Sequence, residues 1–330
     1  MLPLWPDGAP APALVLATLF AALAIDALAG DPPWLYRRLS HPVAVLGRLT
    51  GWFDERLNRP DLPAAGRGRR GLALVALVVG PGAALGWLIG AALHGNSYGW
   101  PVEAALASTL LAGRGLRDHV AAVAVALDEG LEAGRAAVAR IVGRDVGGLD
   151  RAGVARAAIE SCAENFSDGV VAPAFWFALG GLPGLLAYKA INTLDSMVGH
   201  RNERYAAFGR AAARLDDAVN WLPARLAGGL IALAALAVPG ARAGAAWRVM
   251  ARDARRHRSP NAGWQEAAMA GALGLALAGP RHYGGRTVDD AWMGDGRTEA
   301  TAGDVRRAIA LYTVAWASLA ALAGLGALVL

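Results

Sequence analysis

Carboxylates recur in this sequence at spacings that a helix brings onto one face. In segment 157–169, Glu160 and Glu164 stand four apart and Asp168 four further, so a continuing helix presents all three together. No Lys or Arg lies within 157–168 to neutralise them, and like charges at that spacing repel. A divalent cation relieves that repulsion, Mg²⁺ being the usual partner of sparse carboxylates and phosphate oxygens, and so does a cationic substrate. A solvated acidic face is the plainer reading. Asn165-Phe166-Ser167 also fits a glycosylation acceptor, a use that no secretory context supports.

Two further segments mix carboxylate, amide and guanidinium. Asn192 and Asp195 share a helical face, with Lys189 one turn back, and Gly199 opens the basic run His200-Arg201-Asn202-Glu203-Arg204. Arg214-Leu215-Asp216-Asp217 and Asn220 through Arg225 repeat the mixture. Carboxylate and amide pairs suit a metal or a hydroxyl, whereas arginine suits phosphate or carboxylate in bidentate geometry. Surface ion pairing is the plainer reading for Glu203, Arg204 and Arg210. Arg255-Arg256-His257-Arg258 leads into Ser259-Pro260-Asn261-Ala262-Gly263, a turn whose small residues let backbone N–H groups approach an anion; a solvated or lipid-headgroup face is the alternative. Near the N-terminus, Asp26 interrupts an apolar run, Gly30 and Pro32-Pro33 stop it at Asp31, and His41-Pro42 follows. An intramembrane carboxylate is costly enough to be a functional candidate, set against a carboxylate at water level, a capping Asp31 and a structural His41. There is no Walker A sequence, Gly-x-Ser-x-Gly elbow, HExxH or CxxC.

The elements that must position these groups are apolar. The chain has 330 residues, 55% of them hydrophobic and 18% charged, with a mean hydropathy of +0.35, against roughly 25% charged in an ordinary soluble domain. That excludes disorder, and the single Cys162 excludes a disulfide scaffold. The net charge of +5 rests almost wholly on arginine, Lys189 being the one lysine. A basic chain suits nucleic acid or the cytoplasmic loops of a membrane protein, and the placement of the charges decides for the second. No Lys or Arg falls in 1–36, 71–113, 157–188, 226–241 or 308–330. Segments 11–29, 71–93 and 308–330 each approach the roughly 20 apolar residues that cross a bilayer core, and 102–127 is a less clean fourth span. The first lacks the basic start of a signal peptide and is expected to be retained.

The basic residues between the apolar stretches number 8 in 37–70, 7 in 114–156, 5 in 201–225 and 11 in 242–307. Placing all four blocks on the cytoplasmic side puts the N-terminus and 94–101 outside. Segment 170–191, broken by Gly180-Gly181-Leu182-Pro183-Gly184, and segment 226–238 then read as re-entrant or interfacial, their breaks facing protein or water rather than lipid. Two true crossings, with 192–225 outside, are the alternative. The expected architecture is all-α: one polytopic membrane-embedded domain over 1–330, with broken segments and large cytoplasmic helical loops at 31–70, 128–169, 192–225 and 241–307. Glycines spread through the helices supply close packing.

As an ordered set these segments resemble the CobD/CbiB family, the adenosylcobinamide-phosphate synthases of cobalamin biosynthesis. The likeness is carried by Asp26, Asp31-Pro32 and His41-Pro42-Val43, by Glu160 through Gly169, by Tyr188 through Gly199, by Arg201 through Tyr205, by Arg214 through Asp217 with Asn220-Trp221, and by Ser259 through Gly263. It spans about residues 20 to 310, and departures such as Cys162 and Phe166 bring no obvious chemistry. The resemblance implies an inner-membrane enzyme with a cytoplasmic site. It would join (R)-1-amino-2-propanol, or its O-phosphate, to the free propionate of adenosylcobyric acid, with ATP as co-substrate and Mg²⁺. It also implies lipid and other corrinoid-pathway membrane enzymes as partners, and no nucleic acid. Activating a carboxylate, plausibly as an acyl phosphate, calls for cation and arginine stabilisation. Glu160, Glu164, Asp168 and Asp195 are the expected catalytic carboxylates, with Glu160, Glu164, Asp195, Asp216 and Asp217 expected at metal. Substrate contacts are expected from Asp26, Asp31, His41, Asn165, Ser167, Lys189, Asn192, Ser196, Arg201, Asn202, Asn220, Arg225, Ser259 and Asn261. A transporter of an anionic or corrinoid solute, or a non-catalytic membrane signalling protein of the same fold, is the rival class.

Overall fold

A computed structural model describes residues 11–94, 98–143, 145–283, 286–288 and 290–330. Residues 1–10 and 95–97, assigned above to the outer side, lie outside them. Helices dominate. In chain order they are α1 (Pro12–Ala29), α2 (Pro33–Tyr36), α3 (Pro42–Leu57), α4 (Ala64–His94), α5 (Gly99–Ser108), α6 (Gly113–Glu129), α7 (Leu131–Val138) and α8 (Arg151–Phe166). A π-helical turn, Ser167–Val171, leads into α9 (Ala172–Val198), followed by α10 (Arg210–Val219), α11 (Trp221–Ala234), α12 (Ala243–Asp253) and α13 (Ala262–Leu273). Four short strands precede α14 (Ala302–Val329): β1 (Leu277–Ala278), β2 (Arg281–Tyr283), β3 (Arg286–Val288) and β4 (Trp292–Met293). They pair as two antiparallel ribbons, β1 with β4 and β2 with β3.

Among the described residues four helical stretches are long and apolar enough to cross a membrane: Pro12–Ala29, Ala64–His94, Arg151–Val198 and Ala302–Val329. Three of them overlap the segments 11–29, 71–93 and 308–330 expected to span. The expected span 102–127 is instead two helices, α5 and α6, parted at 109–112. The Ser108 and Thr109 hydroxyls donate to the carbonyls of Ala105 and Leu106, each at 2.8 Å, and compete with the helical ladder there. The break expected at 180–184 is present: Gly181 takes φ 55° and ψ −149° ahead of Pro183. A Cβ at Gly184 would lie 2.3 Å from the Trp176 carbonyl, so only glycine lets the chain pass. Helix α11 has 14 residues, short of a full crossing.

The chain divides into two compact units. The first holds 11–112, 172–220 and 320–330. Its core is formed by Leu74, Val75 and Val78 of α4, Ala190, Leu194 and Val198 of α9, and Phe208 and Ala212. Small residues bring backbones together: a Cβ at Gly86 would meet Leu182 and Pro183 backbone at 2.6–2.7 Å, and one at Gly326 would meet the Leu16 side chain at 2.7 Å.

The second unit holds 113–171 and 221–319. Asp150 caps α8 by accepting from the Gly153 N–H at 2.7 Å. Helix α13 is buried along its length except at Trp264 and ends at Gly274 in the left-handed conformation. A Cβ at Gly228 would lie 3.0 Å from the Trp264 carbonyl, which fixes how closely α11 packs on α13. Tyr312 donates to the Gly113 carbonyl at 2.7 Å and meets Phe166 edge-on at 5.3 Å.

Candidate active site

In the first unit, the amide and carboxylate residues of α9 and α10 form one buried network. Helical periodicity puts Tyr188, Asn192 and Asp195 on one side of α9, and α10 supplies Asp216, Asp217 and Asn220. Tyr188 Oη donates to Asn220 Oδ1 at 3.0 Å, and Asn220 Nδ2 donates to Asp216 Oδ2 at 3.0 Å. Asn192 also lies within reach of the Asp216 carboxylate. The second oxygen, Oδ1, is buried and has no hydrogen-bond partner. Burial above all, then the charge of Asp195, pushes the Asp216 carboxyl up to about 7. Asp217 is less buried and is raised by desolvation, opposed by the nearby charge of Arg201. Among the described residues no group of three His, Cys, Asp or Glu side chains is tight enough to hold a metal by itself.

The chain leaves α9 through Gly199, where an added Cβ would stand 1.9 Å from Asp195 Oδ1. The basic run after it is anchored by residues not singled out from sequence. Buried Asp54 of α3 accepts from Arg204 Nη2 at 2.6 Å and from Tyr205 Oη at 3.0 Å, and Asn58 Nδ2 donates to its other oxygen at 3.0 Å. Arg67 donates to the carbonyls of Glu203 and Arg204. Asn202 Oδ1 accepts from the Tyr205 N–H at 3.0 Å, shaping the turn, while Arg201 stays exposed. No local pattern marks Asp54, whose partners are 150 residues away.

The other first-unit candidates divide by environment. Asp26 and Lys189 are buried at 3% and 7% exposure, inside α1 and α9. Asp31 is half-exposed and lies 3.4 Å from His41 Nε2, while His41 Nδ1 accepts from the Val43 N–H at 3.2 Å and caps α3. Ser196 is exposed, its hydroxyl turned back to the Asn192 carbonyl at 2.9 Å.

In the second unit, the three carboxylates expected on one face occupy different settings. Glu160 is buried and accepts from the Ala278 N–H at 2.9 Å, Glu164 is exposed, and Asp168 sits half-buried within the π turn. That turn bonds i to i+5 in place of i to i+4. Asn165 donates to Ser161, and Ser161 donates to the Ile141 carbonyl at 2.8 Å. Ser167 is fully buried and its hydroxyl has no partner.

A guanidinium site accompanies them. Arg225 lies between two indoles, 4.2 Å from the Trp221 ring centroid and 4.4 Å from that of Trp264, and donates to Asn261 Oδ1 at 3.4 Å. Arg255 is close enough for the two charges to repel, which an anion would relieve. Ser259 Oγ accepts from the N–H groups of Asn261 and Ala262, each at 3.2 Å, so it builds the turn at the start of α13. Glu266, buried at 2% exposure and not singled out from sequence, stands 3.7 Å from His257 Nε2.

Residues 19–312 match the family model described as CobD/Cbib protein. The chain is 52% identical over 314 residues to "Cobalamin biosynthesis protein CobD" of Brucella suis biovar 1, covering 94% of this chain and 95% of that one. It is 52% identical to the protein of that name from a Sinorhizobium species, with 90% and 94% covered, and 47% identical to that of Rhodobacter capsulatus, with 94% and 96% covered. No solved structure matches.

Proposed function

The chain belongs to the CobD/Cbib family and to cobalamin biosynthesis, and from that premise we propose that it forms an amide on a corrinoid. The free propionate carboxyl of adenosylcobyric acid would be joined to the amine of (R)-1-amino-2-propanol or of its O-phosphate, yielding adenosylcobinamide or its phosphate. The C–N bond forms as the activated carboxyl loses one oxygen with its leaving group, and the ammonium gives up its protons to a base. We assign the site to the cytoplasmic side of the inner membrane, where the Arg-rich segments are expected.

The observation that supports this most is the Asp195–Asp216–Asp217 network, with a buried Asp216 oxygen that no donor satisfies. A cation accounts for it, and Mg²⁺ fits because it takes few protein carboxylates and completes its shell with water and phosphate oxygens. When bound with ATP it would supply charge neutralisation at the transferring phosphoryl group. Asp216, with Asp195 and Asp217 beside it, would contribute carboxylate oxygen, and phosphate and water would complete the shell. Exposed Arg201 would meet phosphate in the first unit, and Arg225 with Asn261 would orient a phosphate or carboxylate in the second.

The test is product mass. Purified protein mixed with adenosylcobyric acid, ATP, Mg²⁺ and each amine should convert the corrinoid to the mass of its amide only when amine and nucleotide are both present. Solute flux in proteoliposomes with no covalent change would overturn the reading in favour of transport.

A further inference from the structure

A cavity of 690 Å³ lies in the second unit, between α12, α13 and the turn at 294–296, within the size range of small-molecule sites. The chemistry proposed above does not use it. Its wall carries Arg242, Arg248 and Arg252 and a single acid, Asp295. The charges do not balance. Asp253 is fully buried and takes Arg252 on both oxygens, at 2.8 and 2.7 Å, together with Arg256 at 3.2 Å and the Gly294 N–H at 2.9 Å. Asp295 is held by Arg252 Nη1 at 2.8 Å. Both acids are therefore committed to Arg252 and Arg256, while Arg242 and Arg248 make no ion pair among the described residues.

Three glycines in the cavity wall let neighbouring groups approach closely. At Gly274, φ is +68° and an added Cβ would come within 1.8 Å of Arg242 Nη2, so the guanidinium lies directly over bare backbone. A Cβ at Gly271 would lie 2.5 Å from the Ala245 carbonyl, and one at Gly296 would lie 2.1 Å from the Gly274 carbonyl. Arg248 and Arg252 are four apart on α12, and Ala245, one turn before Arg248, is the small residue between it and Arg242.

We propose that this cavity binds the phosphate group of a phosphorylated ligand, with Arg242 and Arg248 donating to its oxygens. Two guanidinium groups without an ion pair among the described residues match the charge of a phosphate, and each planar fork can donate to two of its oxygens. Such a group can come from a soluble polyphosphate or from an anionic lipid headgroup. The proposal stands apart from the amide chemistry because its readout is binding.

The full chain in phosphatidylcholine nanodiscs would be titrated with inorganic pyrophosphate and with ATP by calorimetry. A parallel sample in mixed phosphatidylcholine and phosphatidylglycerol would be read for retained lipid by native mass spectrometry. Saturable pyrophosphate or ATP binding, weakened about tenfold or more in the Arg242→Gln/Arg248→Gln double variant, supports a soluble ligand. Retention of phosphatidylglycerol by wild type and not by that variant supports the lipid source. The double lysine variant, which keeps charge and loses the fork, should fall between, and Arg140→Gln should match wild type. An unchanged unfolding midpoint shows that the variants are folded. Equal binding by wild type and the double glutamine variant in both arms, or binding in neither, overturns the proposal.

Discussion

Asn220 holds Asp216 from one helical turn away: its Nδ2 donates to Asp216 Oδ2 at 3.0 Å while its own Oδ1 accepts from Tyr188 Oη at 3.0 Å. The amide is oriented from both ends and satisfies one Asp216 oxygen, while the other, Oδ1, has no hydrogen-bond partner among the described residues. An amide suits this place because it donates and accepts at once.

The Asp216 carboxyl, with a pKa of about 7 in the fold against 3.8 ordinarily, keeps its proton more tightly when folded. Between those values the folded state holds the extra proton, so its contribution to stability is greatest at the acid end, falls as pH rises through the window and levels off above about 7. Asp216→Asn should match wild type near pH 4 and unfold at higher temperature than wild type at pH 8. Unfolding midpoints in detergent at pH 4, 6 and 8 test this; a constant difference between the two proteins would refute it.

Removing the amide should cost more than removing the phenol oxygen. Asn220→Ala takes a partner from both Tyr188 and Asp216 in a buried site, about 1–3 kcal/mol for each group left unsatisfied, whereas Tyr188→Phe removes one hydrogen bond worth about 1 kcal/mol. Chemical denaturation of the two variants should rank them in that order.

Asp54 anchors the segment after α9. Asp54→Ala should release Arg204 and Tyr205, and trypsin should then cut at Arg201 or Arg204 roughly tenfold faster or more, because proteolysis follows local opening. Cleavage elsewhere should keep its wild-type rate, and peptide mapping over time reads both.

Gly199→Ala puts a methyl 1.9 Å from Asp195 Oδ1. The carboxylate must swing away, and amide formation should drop by about tenfold or more, since small misplacements at a reacting site are costly. Gly80→Ala in α4 meets nothing within 4 Å and should leave turnover unchanged. Initial rates with adenosylcobyric acid compare them.

Glu160 in the second unit supports the backbone at Ala278, a non-glycine residue held at φ 60°. Glu160→Gln retains an acceptor and should keep the unfolding midpoint close to wild type. Glu160→Ala should lower stability by about 1–3 kcal/mol, because the buried Ala278 N–H loses its acceptor.

Sequence alone determined the apolar helices and the residues available for chemistry. Segments 11–29, 71–93 and 308–330 were legible because a run of apolar residues without basic charge is a local property. The Gly180–Gly184 break was legible for the same reason, and α-helical periodicity correctly grouped Asn192 with Asp195. Local pattern did not show the π turn that holds Asp168, nor the break inside 102–127, where Ser108 and Thr109 bond back to the helix. Tertiary structure alone decided that Asp216 is buried while neighbouring Asp217 is half-exposed, that Asp54 meets Arg204, and that Arg242 and Arg248 border a cavity and make no ion pair among the described residues. Backbone period depends on residues a few positions apart, whereas burial and charge balance depend on which distant segments pack together, and that is settled only when the chain folds.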